Sequence, residues 1–559
     1  MLGVPFFKNM EGVHHHVGDF DMTSSPIAID AVVHIYQLQT EELLFNYDEY
    51  LDGLKRLASI KRDYKHGTFE DHKRWSGDNL SDSEIKDIIL KDIHSISLHK
   101  PNKEGYVEYI KLVAPTLYRE IIQTPIPLHL EENPDKPHGY ILGTPGSGKS
   151  ELLKLLIHTY VTNPRYGAVV VIDPTSDFVS QIAKWKEFNA AQRERLVYVR
   201  PTLVSGMSPV INPFEIDGVK ATDYSEKALN VKRVVAQELV EALGRIISEG
   251  GSYLTGPMRT ILTNCVLVLL DKPNATLKDL SNFMKTDKSE ALFQFACRLS
   301  HHEYLADYFQ SEVGGFKTKS NGTTKEAIGR RLDELLSVGT FSRLTCGKNT
   351  INLVEAVNQK KVILFDLGKG AIGKKEGSAF GRLIIAMLMG MAYRRENLKK
   401  EDRIPCSVIV DECHNFVSES MEDILTEARK YRLFITLAQQ IAGQRMPITL
   451  RDVVLETTNL QAVGGTSASG AKRNADIVGV DAEEIRKLRI GEFYVRASRA
   501  GSPMKFRTRT DLLDYRNCVH KLTWRAIQKE QIRKYYQPYD KKIKPIIEEE
   551  VDISPVAWD

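Results

Sequence analysis

Short apolar runs, each closed by turn residues, recur along this chain with helix-period stretches between most of them. The first are His138-Gly-Tyr-Ile-Leu142, Gly167-Ala-Val-Val-Val-Ile-Asp-Pro174 and Leu196-Val-Tyr-Val-Arg-Pro201. The pattern returns at Lys361–Leu367, Cys406–Asp411, Leu433–Ala438, Leu460–Val463 and Phe493–Arg496. Continuous β-branched runs of this length predict strands buried on both faces. Alternation of such strands with helices predicts an α/β fold whose sheet is mostly parallel and covered on both sides. Residues 221–338 break the alternation, with helical stretches such as Ala228–Ser248 and Pro257–Leu270 and no strand, which predicts a helical insertion. Within it, Gly314–Lys325 reads as an exposed basic loop.

The two ends read differently. Ile27–Tyr36 reads as a strand or buried segment, and residues 40–63 and 82–94 as helices charged on one face. His14-His15-His16 reads as an exposed polar turn, because three adjacent side chains do not converge on one metal ion. Leu128–His138 is a turn-rich entry to the following domain. The last forty or so residues are helical and charged and close on an acidic tail, Glu548-Glu-Glu-Val-Asp552.

Composition narrows the class without naming it. Of 559 residues, 42% are hydrophobic and 27% charged, as in ordinary soluble proteins. Lys plus Arg number 76 against 73 Asp plus Glu, so a nucleic-acid partner is neither demanded nor excluded by the net charge of +3. The six cysteines form no C-x-x-C pair, which points to a reduced compartment and away from a cysteine-built metal site. The longest apolar run, Leu383–Tyr393, is far short of the roughly 20 residues a membrane-spanning helix needs. It reads as a buried helix. The expectation is a cytoplasmic protein, or one peripheral to the inner membrane, with no integral membrane segment.

The chemistry begins at Gly143-Thr-Pro-Gly-Ser-Gly-Lys-Ser150, a G-x-x-x-x-G-K-S phosphate loop between an apolar strand and a helix. Glycines let backbone N–H groups turn inward around an anion, and the following helix presents its positive end. Gly143, Thr144, Pro145, Gly146, Ser147, Gly148, Lys149, Ser150 and Glu151 are therefore the candidate nucleotide-binding residues. Lys149 would reach the β- and γ-phosphates and Ser150 would hold Mg²⁺. Asp411 and Glu412, at the end of an apolar strand, complete the set. Asp411 would bind Mg²⁺ and Glu412 would polarise the attacking water. Gln440 at a later strand end is a candidate γ-phosphate contact. Arg429 is a candidate for neutralising charge on the transferred phosphoryl group, in its own site or a neighbour's. The expected ligands are ATP and Mg²⁺.

The series Gly143–Ser150, Ile172-Asp-Pro174, Val362–Leu367, Val410-Asp-Glu-Cys-His-Asn-Phe416 and Ala428-Arg-Lys-Tyr…Gln440 resembles the HerA/FtsK superfamily of DNA-pumping ATPases. It is most similar to the type IV secretion coupling proteins of conjugation. The resemblance spans roughly residues 135–510. It implies a RecA-like P-loop motor, a homo-hexameric ring, and an arginine, here Arg429, reaching the nucleotide across a subunit boundary. It also implies Gln440 as γ-phosphate sensor and Glu412 as the catalytic carboxylate. The partners expected are DNA gripped without sequence preference, and an effector such as a relaxase or nuclease. The chain departs from these relatives in showing no N-terminal membrane helices and no obvious small β-barrel.

The resulting plan is an N-terminal module of unassigned role (1–130), a P-loop domain in two halves (131–220 and 339–515), the helical insertion (221–338) and a C-terminal arm and tail (516–559). Lys369, Lys374 and Lys375 in a glycine-flanked loop, with Lys317 and Lys319, are candidate DNA contacts. The alternative reading is a HerA-like ATPase scaffold that recruits an effector, as in phage defence. A DExH helicase fits less well, since no Q-x-x-G-R-x-x-R motif follows.

Overall fold

The computed structural model describes residues 14–20, 126–131 and 138–540, excluding 177, 190–191, 248–253, 286, 300–302, 312–314, 397, 497–502 and 509–516. The elements expected at 27–36, 40–63, 82–94 and the tail at 548–552 lie outside the described residues.

The strands in chain order are β1 (His14–Phe20), β2 (Ile126–Glu131), β3 (Gly139–Leu142), β4 (Ala168–Asp173), β5 (Leu196–Val199), β6 (Met207–Ser208), β7 (Val362–Asp366), β8 (Cys406–Val410), β9 (Leu433–Gln439), β10 (Leu460–Gly464), β11 (Glu492–Arg496), β12 (Met504–Arg507) and β13 (Gln537–Pro538). Eleven of them form one sheet in the order β2-β1-β12-β11-β10-β3-β9-β8-β4-β7-β5. From β10 to β5 every pairing is parallel, and β11, β12, β1 and β2 continue the sheet antiparallel. The fold is thus α/β with a mostly parallel sheet, as the apolar runs predict. β6 and β13 pair separately.

The helices that matter here are α1 (Lys149–Thr162), α2 (Glu226–Ile247), α3 (Gly256–Leu270), α4 (Lys319–Ser337), α5 (Lys374–Tyr393), α6 (Glu419–Thr426) and α7 (Lys521–Tyr535). Strand pleating sorts the core into two layers. Val169 and Val171 of β4 face the cluster that holds Leu152, Leu156 and Ile157 of α1 and Trp524 of α7. Ala168, Val170 and Ile172 face the opposite cluster, with Leu239 of α2, Cys265 of α3 and Leu383 of α5. The apolar run at Leu383–Tyr393 is a buried helix, and among the described residues no helix is long and apolar enough to cross a membrane.

Three expectations are corrected. Of Gly314–Lys325, only Gly315–Thr318 is loop among the described residues, since α4 begins at Lys319. Ile328, Leu332 and Leu335, spaced by three and four, bury in the core and carry the polar first turns with them. The glycine-flanked stretch after β7 is helical too: Lys369–Ile372 forms one turn, Gly373 breaks it at φ +91°, and α5 restarts at Lys374. His14-His15-His16 is strand rather than turn, paired with His129–Glu131 of β2, so Leu128–His138 is likewise strand in its first part.

Candidate active site

Because β3, β9 and β8 are parallel neighbours, their C-terminal ends share one edge of the sheet, where α/β folds bind ligands. The phosphate loop follows β3, Gln440 follows β9, and Asp411–Glu412 follow β8.

The loop is braced on both flanks. Gly143 N donates to Gln439 O (3.2 Å), and Thr144 donates to Gly465 O through its amide (3.3 Å) and its Oγ1 (2.9 Å). On the other side Gly491 N donates to Ser147 O (2.9 Å). Gly148 sits at φ +93°, and a Cβ there would lie 2.9 Å from Gly491 N and Cα, so only glycine fits.

These ends enclose a cavity of about 580 Å³, within the range of small-molecule sites. Thr144, Pro145, Gly146, Gly148, Lys149, Ser150 and Glu151 line one flank; Asp411, Glu412, His414, Asn415 and Gln440 line the centre. The Lys149 ammonium pairs with Asp411 Oδ1 and with Glu412 Oε1 (3.1 Å), across 262 and 263 residues of sequence. Gln440 Nε2 donates to Glu412 Oε1 (3.4 Å), and His414 Nδ1 lies 3.3 Å from Glu412 Oε2. Glu412 itself is left-handed (φ +45°), a conformation costing about 1–3 kcal/mol that surrounding contacts must hold. Asn415 supplies two of them, donating to Glu412 O from its amide (2.9 Å) and Nδ2 (3.0 Å).

The charges are set by these contacts. Burial pulls the Lys149 ammonium down, but Asp411 and Glu412 outweigh it and hold its pKa above the ordinary value. Burial lifts Asp411 above the usual carboxylate range against the pull of Lys149. At Glu412 burial also pushes up, yet His414 and Lys149 prevail and hold the carboxyl at about 2. Glu412 is therefore an ionised acceptor at neutral pH.

The donor set suits a triphosphate with a hard divalent cation. Lys149 already supplies a positive charge against both carboxylates, Asp411 and Ser150 are hard oxygen donors, and Ser147 Oγ is buried with no hydrogen bond. Among the described residues no three His, Cys, Asp or Glu side chains converge as a metal site. A cation here would thus rest on Asp411, Ser150, water and phosphate oxygens. Glu151 is occupied otherwise, accepting from Lys154 Nζ (2.6 Å).

Gly143 and Ser147 belong to the loop without lining the cavity, and Arg429 stands apart from it. It sits on the turn Ala428–Tyr431 that feeds β9, so the seven residues of the strand separate it from Gln440. At roughly 3.3 Å per residue that is about 23 Å along the strand, at the end of β9 away from the cavity. Of the candidate DNA lysines, Lys317, Lys374 and Lys375 have described side chains. Lys375 pairs with Glu334 (3.2 Å), and Lys317 pairs with Glu290 (3.1 Å) over the Phe293 ring. Lys374 lines the nucleotide cavity instead, as do Arg445 and Ile490. Sequence reasoning missed Arg445 and Ile490, gave Lys374 to DNA, and quoted His414 without giving it a role.

Residues 120–379 match the family model described as Helicase HerA, central domain. This segment is similar to the HerA central domain. The matched segment carries the phosphate loop and ends within α5, before the strand that precedes Asp411 and Glu412. Solved structures with likeness to the chain include the plasmid coupling protein TrwB in complex with the ATP analogue ADPNP, and the same protein with ADP and Mg²⁺. Each is 16% identical, covers 69% of this chain and 87% of its own, and has a TM-score of 0.49. VirB4 of Thermoanaerobacter pseudethanolicus is 14% identical over 67% of this chain and 89% of its own, with a TM-score of 0.44. No curated protein sequence matches the chain.

Proposed function

We propose that this chain is an ATPase that binds ATP with Mg²⁺ and uses hydrolysis, in a homo-hexameric ring, to move DNA. The observation that carries the reading is the convergence of Lys149, Asp411, Glu412 and Gln440 at one edge of the sheet from distant parts of the sequence. The HerA-type segment supports the motor class.

Asp411 and Ser150 would hold Mg²⁺, which supplies charge neutralisation on the phosphates when bound. The phosphate loop would wrap the triphosphate with its amides, and Lys149 would leave the carboxylates for the β- and γ-phosphates. That departure removes one of the contacts holding Glu412 near 2, so its carboxylate becomes a better acceptor for a water proton. Gln440, already on Glu412, would share in orienting that water. Arg429 would serve the site of an adjoining subunit, stabilising charge on its transferred phosphoryl group.

The test is the ATPase rate with and without double-stranded DNA. Stimulation by DNA that vanishes in Lys149→Ala and Glu412→Gln is the expected result. Glu412→Gln should keep nucleotide binding while turnover drops at least about 100-fold. A wild-type rate in Glu412→Gln would remove the catalytic assignment. A rate indifferent to DNA would remove the translocase and favour a scaffold that recruits an effector.

A further inference from the structure

We propose that Lys374 is a second phosphate-contacting lysine of this cavity, one that reads the terminal phosphate of a bound nucleoside triphosphate. The inference rests on the ATPase reading above and adds a residue to it.

The sheet order places Lys374 opposite the phosphate loop. The cavity lining runs from the loop after β3, past β9 and β8, to Pro174 and Thr175 after β4 and Leu367 after β7, and ends on α5. The phosphate loop therefore grips from one flank, with the Asp411–Glu412 pair in the middle. A triphosphate laid from the loop toward those carboxylates points its terminal phosphate at the far flank, where Lys374 stands.

The first turn of α5 is oriented for this. Lys374, Gly377 and Ser378 all line the cavity, whereas Lys375 turns away to Glu334. Gly373, at φ +91°, sets that phase by ending the preceding turn and starting a new helix. The end of α5 that meets the cavity is its positive end, which adds to the lysine's attraction for an anion. Lysine suits the task as a mobile point charge rather than a planar fork.

The same helix is packed where a signal would be useful. A Cβ on Gly381 would overlap the Phe416 ring, four residues past Glu412, and Gly390 packs against Val235 of α2 (3.3 Å to a built Cβ). Lys374 thus heads a rod touching the carboxylate-bearing turn and the helical layer.

The experiment compares binding of ADP and of a non-hydrolysable ATP analogue to the full chain. In Lys374→Ala the triphosphate analogue should bind about tenfold more weakly and ADP less than about twofold, as expected for one lost charge-assisted bond. Lys374→Arg should recover most of the triphosphate affinity, and Lys375→Ala should leave both ligands unchanged. Equal weakening of both nucleotides in Lys374→Ala, or no weakening of either, would overturn the proposal. Lys149→Ala serves as the separate arm: if it binds both nucleotides like the wild type, the nucleotide site itself is wrong, whatever Lys374 does.

Discussion

At Gly148 the left-handed backbone and the close approach of Gly491 act together, so Gly148→Ala should cost about 1–3 kcal/mol and weaken nucleotide binding. Thermal melting and nucleotide titration check the two effects. His138, at the start of β3, gives a pH signature. Burial first, and the nearby Arg429 charge second, lower its pKa to about 4, and its Nδ1 accepts from Ile435 N (3.0 Å). With an unfolded value near 6.5, the unfolded chain binds the proton first as pH falls. The His138 contribution is whole above 6.5 and is lost down to about 4, on the order of 3 kcal/mol. Denaturant melts at pH 7 and pH 5 should therefore differ less in His138→Asn than in the wild type. Residue identity made Lys149, Asp411 and Glu412 legible, because a phosphate loop and a strand-end acidic pair have few other uses. Lys374 was not legible. Which of two adjacent lysines faces a cavity depends on helix phase, and Gly373 sets that phase through a torsion the sequence does not spell.

Among the elements, β5 is an edge strand that would expose unpaired backbone. Helix α7 covers it with a side chain acting as a surrogate strand: Gln531 accepts from Tyr198 N (2.9 Å) and donates to Leu196 O (3.0 Å). Tyr536, just beyond, accepts from Arg200 N and donates to Tyr198 O. Gln531→Ala leaves two buried backbone groups unpaired, so a loss of about 2–4 kcal/mol is expected in thermal or denaturant unfolding. The sequence foretold a charged helix near the end of the chain but not its docking, since glutamine carries no mark of whom it will pair with. The parallel strands were legible because burial on both faces demands unbroken apolar runs. The helical turns at Lys319 and after Leu367 were hidden because glycines read as loop signals, while here one breaks and resets a helix and another rides an exposed turn.

For the whole molecule, Arg429 stands at the end of β9 away from its own chain's cavity, and a shared site is the natural test. Rings mixed from Arg429→Ala and Lys149→Ala subunits should recover ATPase activity above either alone, because some interfaces then carry an intact loop beside an intact arginine. No recovery in well-mixed rings would count against the shared arrangement. β9 has Gln440 at one end and the turn bearing Arg429 at the other, with hydrogen-bonded neighbours along its length. An extended strand held on both sides neither stretches nor shortens, so in the proposed ring it would hold the cavity and the Arg429 turn at a fixed separation. Adding two residues would preserve the inward and outward alternation of its side chains, yet would move the Arg429 turn by about 7 Å relative to the cavity.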